Sequence, residues 1–326
     1  SKDVNAIRGP RARAWPRDPQ VNAIFVNHQE QRCGVYQMGR RIGTVLSEAG
    51  IARYVEIADH RTALSVMESL QPRVAIFNWH PATIPWAPDL VRRFTSTKHV
   101  GLIHEISPEN VGADAQTFPY RIVCDPIFPV NCTTIFRSVR QVPRYDGPTV
   151  ANDILTIGSF GFAVGGKMFH AIVQAVAQEF PGAKIRLRIP SAHYGDDAGG
   201  LAQHAAAGAR SVGETVSLEI EHEFLAEDAL IRWLAGNDLN VFFYDYNPGR
   251  GISSVIDYAI AARRPLAING SQMFRHVSQR LGVYPERSLR DALEDVGVVE
   301  DLYHQWSPER LAQDYRDMLA AMGCPA

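Results

Sequence analysis

Apolar positions along the chain follow two alternating rhythms. Short, nearly continuous apolar runs are separated by longer stretches in which apolar residues recur every three or four positions. The short runs at 21–27 (VNAIFVN), 73–78 (RVAIFN) and 99–104 (HVGLIH) read as buried strands, with a further strand at 121–125. The stretches at 36–49 and 63–70 between them carry helical spacing. A segment bearing proline and glycine, VPRYDGPTV at 142–150, breaks the rhythm and reads as a linker. The alternation then restarts. Strands are predicted at 153–158, 184–189, 217–221, 239–244 and 265–269, with helices at 168–180, 227–235, 254–262 and 274–281. A last helix opens on Ser-Pro-Glu at Ser307 and runs to 323.

Strands that alternate with helices form parallel sheets covered on both faces. The pattern therefore predicts an α/β protein of two Rossmann-like, doubly wound domains facing across a cleft. An arm at 1–20, a first domain at 21–147 and a second at 148–306 follow from the breaks. Ligands of such sheets sit at the carboxyl ends of the strands.

Composition narrows the function classes. The chain has 326 residues, 46% hydrophobic, enough for two ordinary domains. A net charge of −2 gives no overall reason to expect nucleic acid as a partner. No apolar run approaches the length of a membrane span, and no signal-peptide pattern opens the sequence, so a cytoplasmic protein is expected. The basic arm and Arg92-Arg93 permit peripheral membrane contact. The four cysteines are widely spaced, which predicts reduced thiols and no metal site.

Four places carry candidate chemistry. In IGSFGFAVGGK, glycines at 158, 161, 165 and 166 lead to Lys167 and a helix. Glycines allow close backbone approach, and helix amides with a lysine favour phosphate, so Gly158, Ser159 and Lys167 are candidate diphosphate ligands. The same segment also reads as an ordinary glycine-rich βα loop. In NPGRGISSVID, Arg250, Gly251, Ser253 and Ser254 form a turn into a helix whose first amides suit an anion. Asp257, one turn in, either accepts bonds from sugar hydroxyls or complements the helix dipole. The third place is the turn at Cys33, Gly34, Val35 and Tyr36, where glycine permits close approach. Cys33 itself reads as a packed residue rather than a nucleophile. The fourth is a pair of histidines, His80 and His104, at equivalent strand ends. They read as substrate-facing or as structural.

These places occur in the same order in the GT-B glycosyltransferases, and the chain resembles the large retaining bacterial family of capsule and O-antigen transferases. IGSFGFAVGGK resembles that family's glycine loop, with Lys167 at the lysine that holds the donor diphosphate. GRGISSVIDYAIAARRPLAI resembles its glycine-rich turn, helix and proline-led strand, with Pro265 at the proline. CGVYQMG resembles the early glycine turn, and His104 the histidine facing the donor sugar. Arg250 and Tyr258 stand where the family carries two glutamates, with Asp257 one step from the second. Ser159 stands where an arginine commonly follows the loop's first glycine.

The resemblance implies transfer of a sugar from a UDP- or GDP-linked donor to a sugar or lipid-linked glycan in cell-surface polysaccharide synthesis. It implies retention of configuration, no metal and no further cofactor. His104 and Asp257 would be the catalytic pair, and Cys33, Gly34, Val35, Tyr36 and His80 would line the acceptor side. The alternative is a GT-B-like binding or scaffold protein without turnover, which the two absent glutamates favour. The last helix would pack back on the first domain.

Overall fold

A computed structural model of the chain describes residues 22–326, so the arm expected at 1–20 lies outside the described residues. The elements run β1 (Ala23–Asn27), α1 (Gly34–Glu48), β2 (Arg53–Glu56), α2 (His60–Leu70), β3 (Val74–Trp79), α3 (Ala87–Arg93), β4 (Lys98–Ile103), α4 (Pro108–Ala113), β5 (Tyr120–Val123) and β6 (Ile135–Arg137). They continue with β7 (Thr156–Phe160), α5 (Phe169–Glu179), β8 (Lys184–Arg188), α6 (Gly200–Arg210), β9 (Ser217–Glu221), α7 (Glu227–Ala235), β10 (Leu239–Phe242), α8 (Val255–Ala261) and β11 (Leu266–Ile268). Helices α9 (Arg275–Leu281), α10 (Leu289–Glu294), α11 (Gly297–Gln305) and α12 (Pro308–Ala321) complete the chain.

Two compact units result. One comprises residues up to Gln141 together with Ser307–Ala326, and the other spans Val142–Trp306. The first holds a parallel sheet in the order β2-β1-β3-β4-β5-β6, and the second one in the order β11-β10-β7-β8-β9. Every residue of β1, β3, β7 and β10 is buried, as central strands covered on both faces require. Strand order reverses between β1 and β3 in the first unit and between β7 and β10 in the second. Doubly wound sheets open a crevice at such reversals, beyond the carboxyl ends of the strands.

Helix α12 belongs to the first unit. Ser307 caps it through a bond from the Arg310 amide (3.1 Å), and Pro308 fixes its first turn. Its apolar face (Leu311, Tyr315, Met318, Leu319) joins Phe25, Ile42, Ile76 and Leu102 in one core cluster. Asp314 on its flank accepts the Val139 amide at 2.8 Å.

Two local expectations are corrected. The strand predicted at 153–158 lies two to three residues further on, at Thr156–Phe160, because Ile154 is exposed and register with β8 begins at Thr156. Segment 142–150 lies within the second unit rather than acting as a free linker. There Arg144 donates to the carbonyls of Tyr303 (2.7 Å) and Trp306 (3.2 Å) and lies over the Tyr303 ring. Strands β2 and β6 and helices α3, α4, α6, α10 and α11 were not legible as separate elements. They are short or lack a sustained apolar period, and long-range pairing defines them.

Candidate functional site

At the second unit's reversal, β7 ends at Phe160 and a loop runs from Gly161 to Lys167. Gly165 and Gly166 have φ of +73° and +78°, a left-handed backbone that side chains disfavour. A Cβ on Gly166 would also come within 2.7 Å of Asp245 Oδ2. The loop's end pairs with the segment leaving β10: the Asp245 amide donates to Gly166 O (2.8 Å), and the Met168 amide to Phe243 O (2.9 Å). That pairing sets Lys167 beside Tyr244.

Lys167 Nζ lies 4.1 Å from the centre of the Tyr244 ring and donates to Val164 O at 3.1 Å. Burial, and secondarily the positive charge of Arg250, pull its pKa from 10.5 down to about 8. Tyr244 is itself buried, and that burial pushes its phenol pKa upward. Its hydroxyl accepts from Ser253 Oγ (3.1 Å). Asn269, just beyond β11, clamps the Tyr244 backbone, accepting from its amide (3.1 Å) and donating to its carbonyl (2.8 Å). The arrangement holds a partly desolvated ammonium at the strand ends, where an anion would restore its lost solvation.

The structure brings Lys167 and Ser253 together around Tyr244, with Arg250 close enough to affect Lys167 electrostatically. Other expected residues have different settings. Gly158 and Ser159 lie inside β7, fully or almost fully buried. A Cβ on Gly158 would stand 1.9 Å from Asn237 Nδ2, so packing within the sheet requires this glycine, not a ligand. With the loop beginning at Gly161, the residue after its first glycine is Phe162, not Ser159. Phe162 stacks on Phe224 with centroids 6.3 Å apart and planes 10° from parallel. Gly251 is buried, and Ser254 sits at the N-cap of α8 with no capping bond from its hydroxyl among the described residues. Asp257 is 0% exposed, so its carboxylate faces the interior rather than the turn's outer surface.

At the first unit's reversal a polar network joins the ends of four strands. Asn27 closes β1, and Asn78 is the penultimate residue of β3. Asn78 Nδ2 donates to Asn27 Oδ1 and to Val35 O, both at 2.8 Å. Asn27 Nδ2 donates to Tyr36 O and to Tyr54 Oη, both at 3.0 Å. The hydroxyls of Tyr36 (2.7 Å) and Tyr54 (2.9 Å) both donate to Glu56 Oε1, which ends β2. His104, just past β4, bonds through Nε2 to Asn78 Oδ1 at 2.6 Å. Burial first, then His80, Arg140 and His28, pull the His104 pKa from 6.5 down to about 3, so the ring is neutral at ordinary pH. A Cβ on Gly39 would fall 2.1 Å from Asn78 Nδ2, which explains that glycine in α1.

The other expected residues of this unit are placed around the network. Val35 and Tyr36 supply carbonyls to it. His80 accepts the Ala82 amide on Nδ1 (3.1 Å) and so holds the turn after β3. Gly34 opens α1, and a Cβ there would meet nothing within 4 Å among the described residues. Cys33 is a buried N-cap residue whose thiol pKa is raised, first by burial, which opposes a nucleophilic role. Among the described residues, no group of three or more His, Cys, Asp or Glu side chains could hold a metal ion. No described helix is long and apolar enough to cross a membrane.

Sequence reasoning passed over Asn27, Asn78, Asn269 and Glu56, and read Tyr244 only as core or cleft wall. A signal was present: asparagine closes three otherwise apolar runs, AIFVN, VAIFN and PLAIN. A polar residue there sits where a parallel sheet opens to ligand.

No protein-family profile matches the chain, and no curated protein matches it. Solved structures do. Anabaena HepE in complex with UDP-glucose superposes with a TM-score of 0.67 at 12% identity, covering 92% of this chain and 99% of that one. A glycosyltransferase from Rickettsia africae gives 0.61 at 8% identity, over 94% and 99%. A trehalose-6-phosphate synthase gives 0.61 at 9% identity, over 94% and 99%. The fold is of the GT-B type. At these identities the likeness is one of fold, and it extends through both units.

Proposed function

We propose that this GT-B chain transfers a sugar from a nucleoside-diphosphate sugar, UDP-linked in the first instance, to a sugar or lipid-linked glycan. The observation that carries this reading is the Lys167 site. A left-handed glycine loop at the second unit's strand reversal holds a half-buried lysine against Tyr244, in the one part of a doubly wound sheet suited to a ligand. Departure of a sugar's anomeric carbon from a diphosphate builds negative charge on the leaving oxygen. Lys167, with Arg250 near it, would stabilise that charge, and such preorganised cations act most strongly where water is excluded. The UDP and UDP-glucose complexes of HepE support the choice of nucleotide. Retention of configuration and metal-independent catalysis extend the reading by family resemblance, as does a role in cell-surface polysaccharide synthesis on the cytoplasmic side.

The test is a thermal-shift and calorimetric screen with UDP, GDP, ADP, CMP and TDP and their sugars, with and without EDTA. A selective, EDTA-insensitive shift with one nucleotide, weakened at least about tenfold in Lys167→Met, supports the reading, since losing a charged contact costs about 1.5–3 kcal/mol. Absence of any nucleotide shift overturns it.

A second reading, binding without turnover, draws on two observations. Asp257 is wholly buried, and Arg250 and Tyr258 stand at the family's glutamate positions. UDP-glucose that binds but is neither transferred nor hydrolysed over hours would select it.

A further inference from the structure

We propose that Asn78 is a positioning residue that holds His104 in its Nε2–H tautomer and so presents Nδ1 as a hydrogen-bond acceptor for a sugar hydroxyl. The assignment of the hydroxyl to a sugar rests on the function proposed above.

The argument starts from hydrogen-bond inventory. An asparagine amide offers two N–H donors on Nδ2 and acceptor lone pairs on Oδ1 only. Asn78 Nδ2 faces two oxygens, Asn27 Oδ1 and Val35 O, each at 2.8 Å. Val35 O is a backbone carbonyl and can only accept. Asn27 Oδ1 is fixed as an oxygen, because it also takes the His28 amide (3.0 Å) while Asn27 Nδ2 serves Tyr36 O and Tyr54 Oη. Reversing the Asn78 amide would set oxygen against oxygen at both contacts. Its Oδ1 therefore faces His104 Nε2, 2.6 Å away, and that nitrogen must carry the proton.

A neutral imidazole protonated on Nε2 has a lone pair on Nδ1. Cationic imidazole would donate from both nitrogens and favour a phosphate. Here burial first, and then the positive potential of His80, Arg140 and His28, oppose its charging. His104 is thus built to accept from an uncharged O–H donor. The chain of dependence runs back to Glu56, whose carboxylate takes the Tyr54 and Tyr36 hydroxyls and so orients the Tyr54 oxygen toward Asn27.

The experiment is long-range ¹H–¹⁵N correlation of histidine side chains in the full chain, with His104 assigned by the spectrum of His104→Gln. The wild type is expected to show His104 as the pure Nε2–H form at pH 7, and an Nδ1–H or imidazolium signal overturns the proposal. In Asn78→Ala the Nδ1–H form should appear, kcat/KM for UDP-glucose should fall about tenfold, the scale of one lost hydrogen bond, and UDP affinity should stay within about twofold. Asn78→Asp supplies an acceptor for Nε2–H but no donor for Val35 O or Asn27 Oδ1. It should restore the tautomer without restoring thermal stability, which a purely structural Asn78 would not do. An unchanged tautomer and unchanged kcat/KM in Asn78→Ala overturn the proposal. If the wild type neither binds UDP nor turns over UDP-glucose, the proposed function fails, while the wild-type tautomer still decides the role of Asn78.

Discussion

Lys167 holds its ammonium 4.1 Å from the centre of the Tyr244 ring while donating to Val164 O. The ring face offers a cation partial compensation, worth about 0.5–2 kcal/mol, but less than water does, and the amine's pKa falls to about 8. The ligand-free protein therefore loses this charge just above neutral pH.

The first prediction follows from that titration. Below pH 8 Lys167 is charged and favours a diphosphate; above pH 8 it is increasingly neutral. UDP affinity measured by calorimetry should fall about tenfold between pH 7 and pH 9, one decade per unit once the lysine must be protonated to bind. In Lys167→Met the affinity should be weak and nearly flat over that range. A wild-type profile parallel to that of Lys167→Met would remove Lys167 from the binding site.

Two glycines of one motif should behave differently. Gly166→Ala meets a left-handed backbone and Asp245, which costs about 1–2 kcal/mol locally and distorts the loop beside Lys167. Gly158→Ala drives a methyl into Asn237, which bonds Asn240 (2.8 Å) and receives Arg186 (3.1 Å) inside the sheet. It should lower stability by about 2–4 kcal/mol through overpacking and broken buried bonds. Urea denaturation should rank Gly158→Ala as the less stable variant. UDP affinity in the folded protein should suffer more in Gly166→Ala.

His104 makes acid stability measurable. Its folded pKa of about 3 lies below the ordinary 6.5. Above pH 6.5 both folded and unfolded states hold it neutral, and it contributes no pH dependence. As pH falls from 6.5 toward 3, the unfolded chain takes up a proton that the folded state refuses, so stability declines across that window. Urea midpoints at pH 7 and pH 4.5 should differ less in His104→Gln than in wild type. Equal differences would show that His104 is not the responsible group.

Helix α12 should act on the first unit alone. Leu311 is 0% exposed and packs in the cluster that holds Phe25 and Ile76. Leu311→Ala should cost about 2–5 kcal/mol. Hydrogen exchange should speed up at amides of β1 and β3 while those of β7 and β10 keep their protection. Equal acceleration in both sheets would contradict the assignment of α12 to one unit.

Much of this protein was legible in its residue pattern. Apolar runs spaced by amphipathic stretches determined the two parallel α/β halves, because a strand buried on both faces needs a continuous apolar run and a covering helix needs a stripe. Ser307, Pro308 and Glu309 announced the start of α12. The glycines before Lys167 marked a turn, since left-handed backbone is most accessible to glycine. These are local properties, set by neighbours a few residues away.

Tertiary structure decided the rest. Gly158 and Gly166 belong to one glycine-rich stretch, yet Asn237 makes the first a packing residue and Asp245 makes the second a loop residue. Asp257 reads as a surface acid one turn into a helix, but α8 is buried along its whole length, so no face of it meets solvent. Asn27 and Asn78 are 51 positions apart and meet only because strand order reverses between β1 and β3. Which polar groups converge at a strand end depends on strand order and register, and those are set by long-range contacts that no local window of sequence contains.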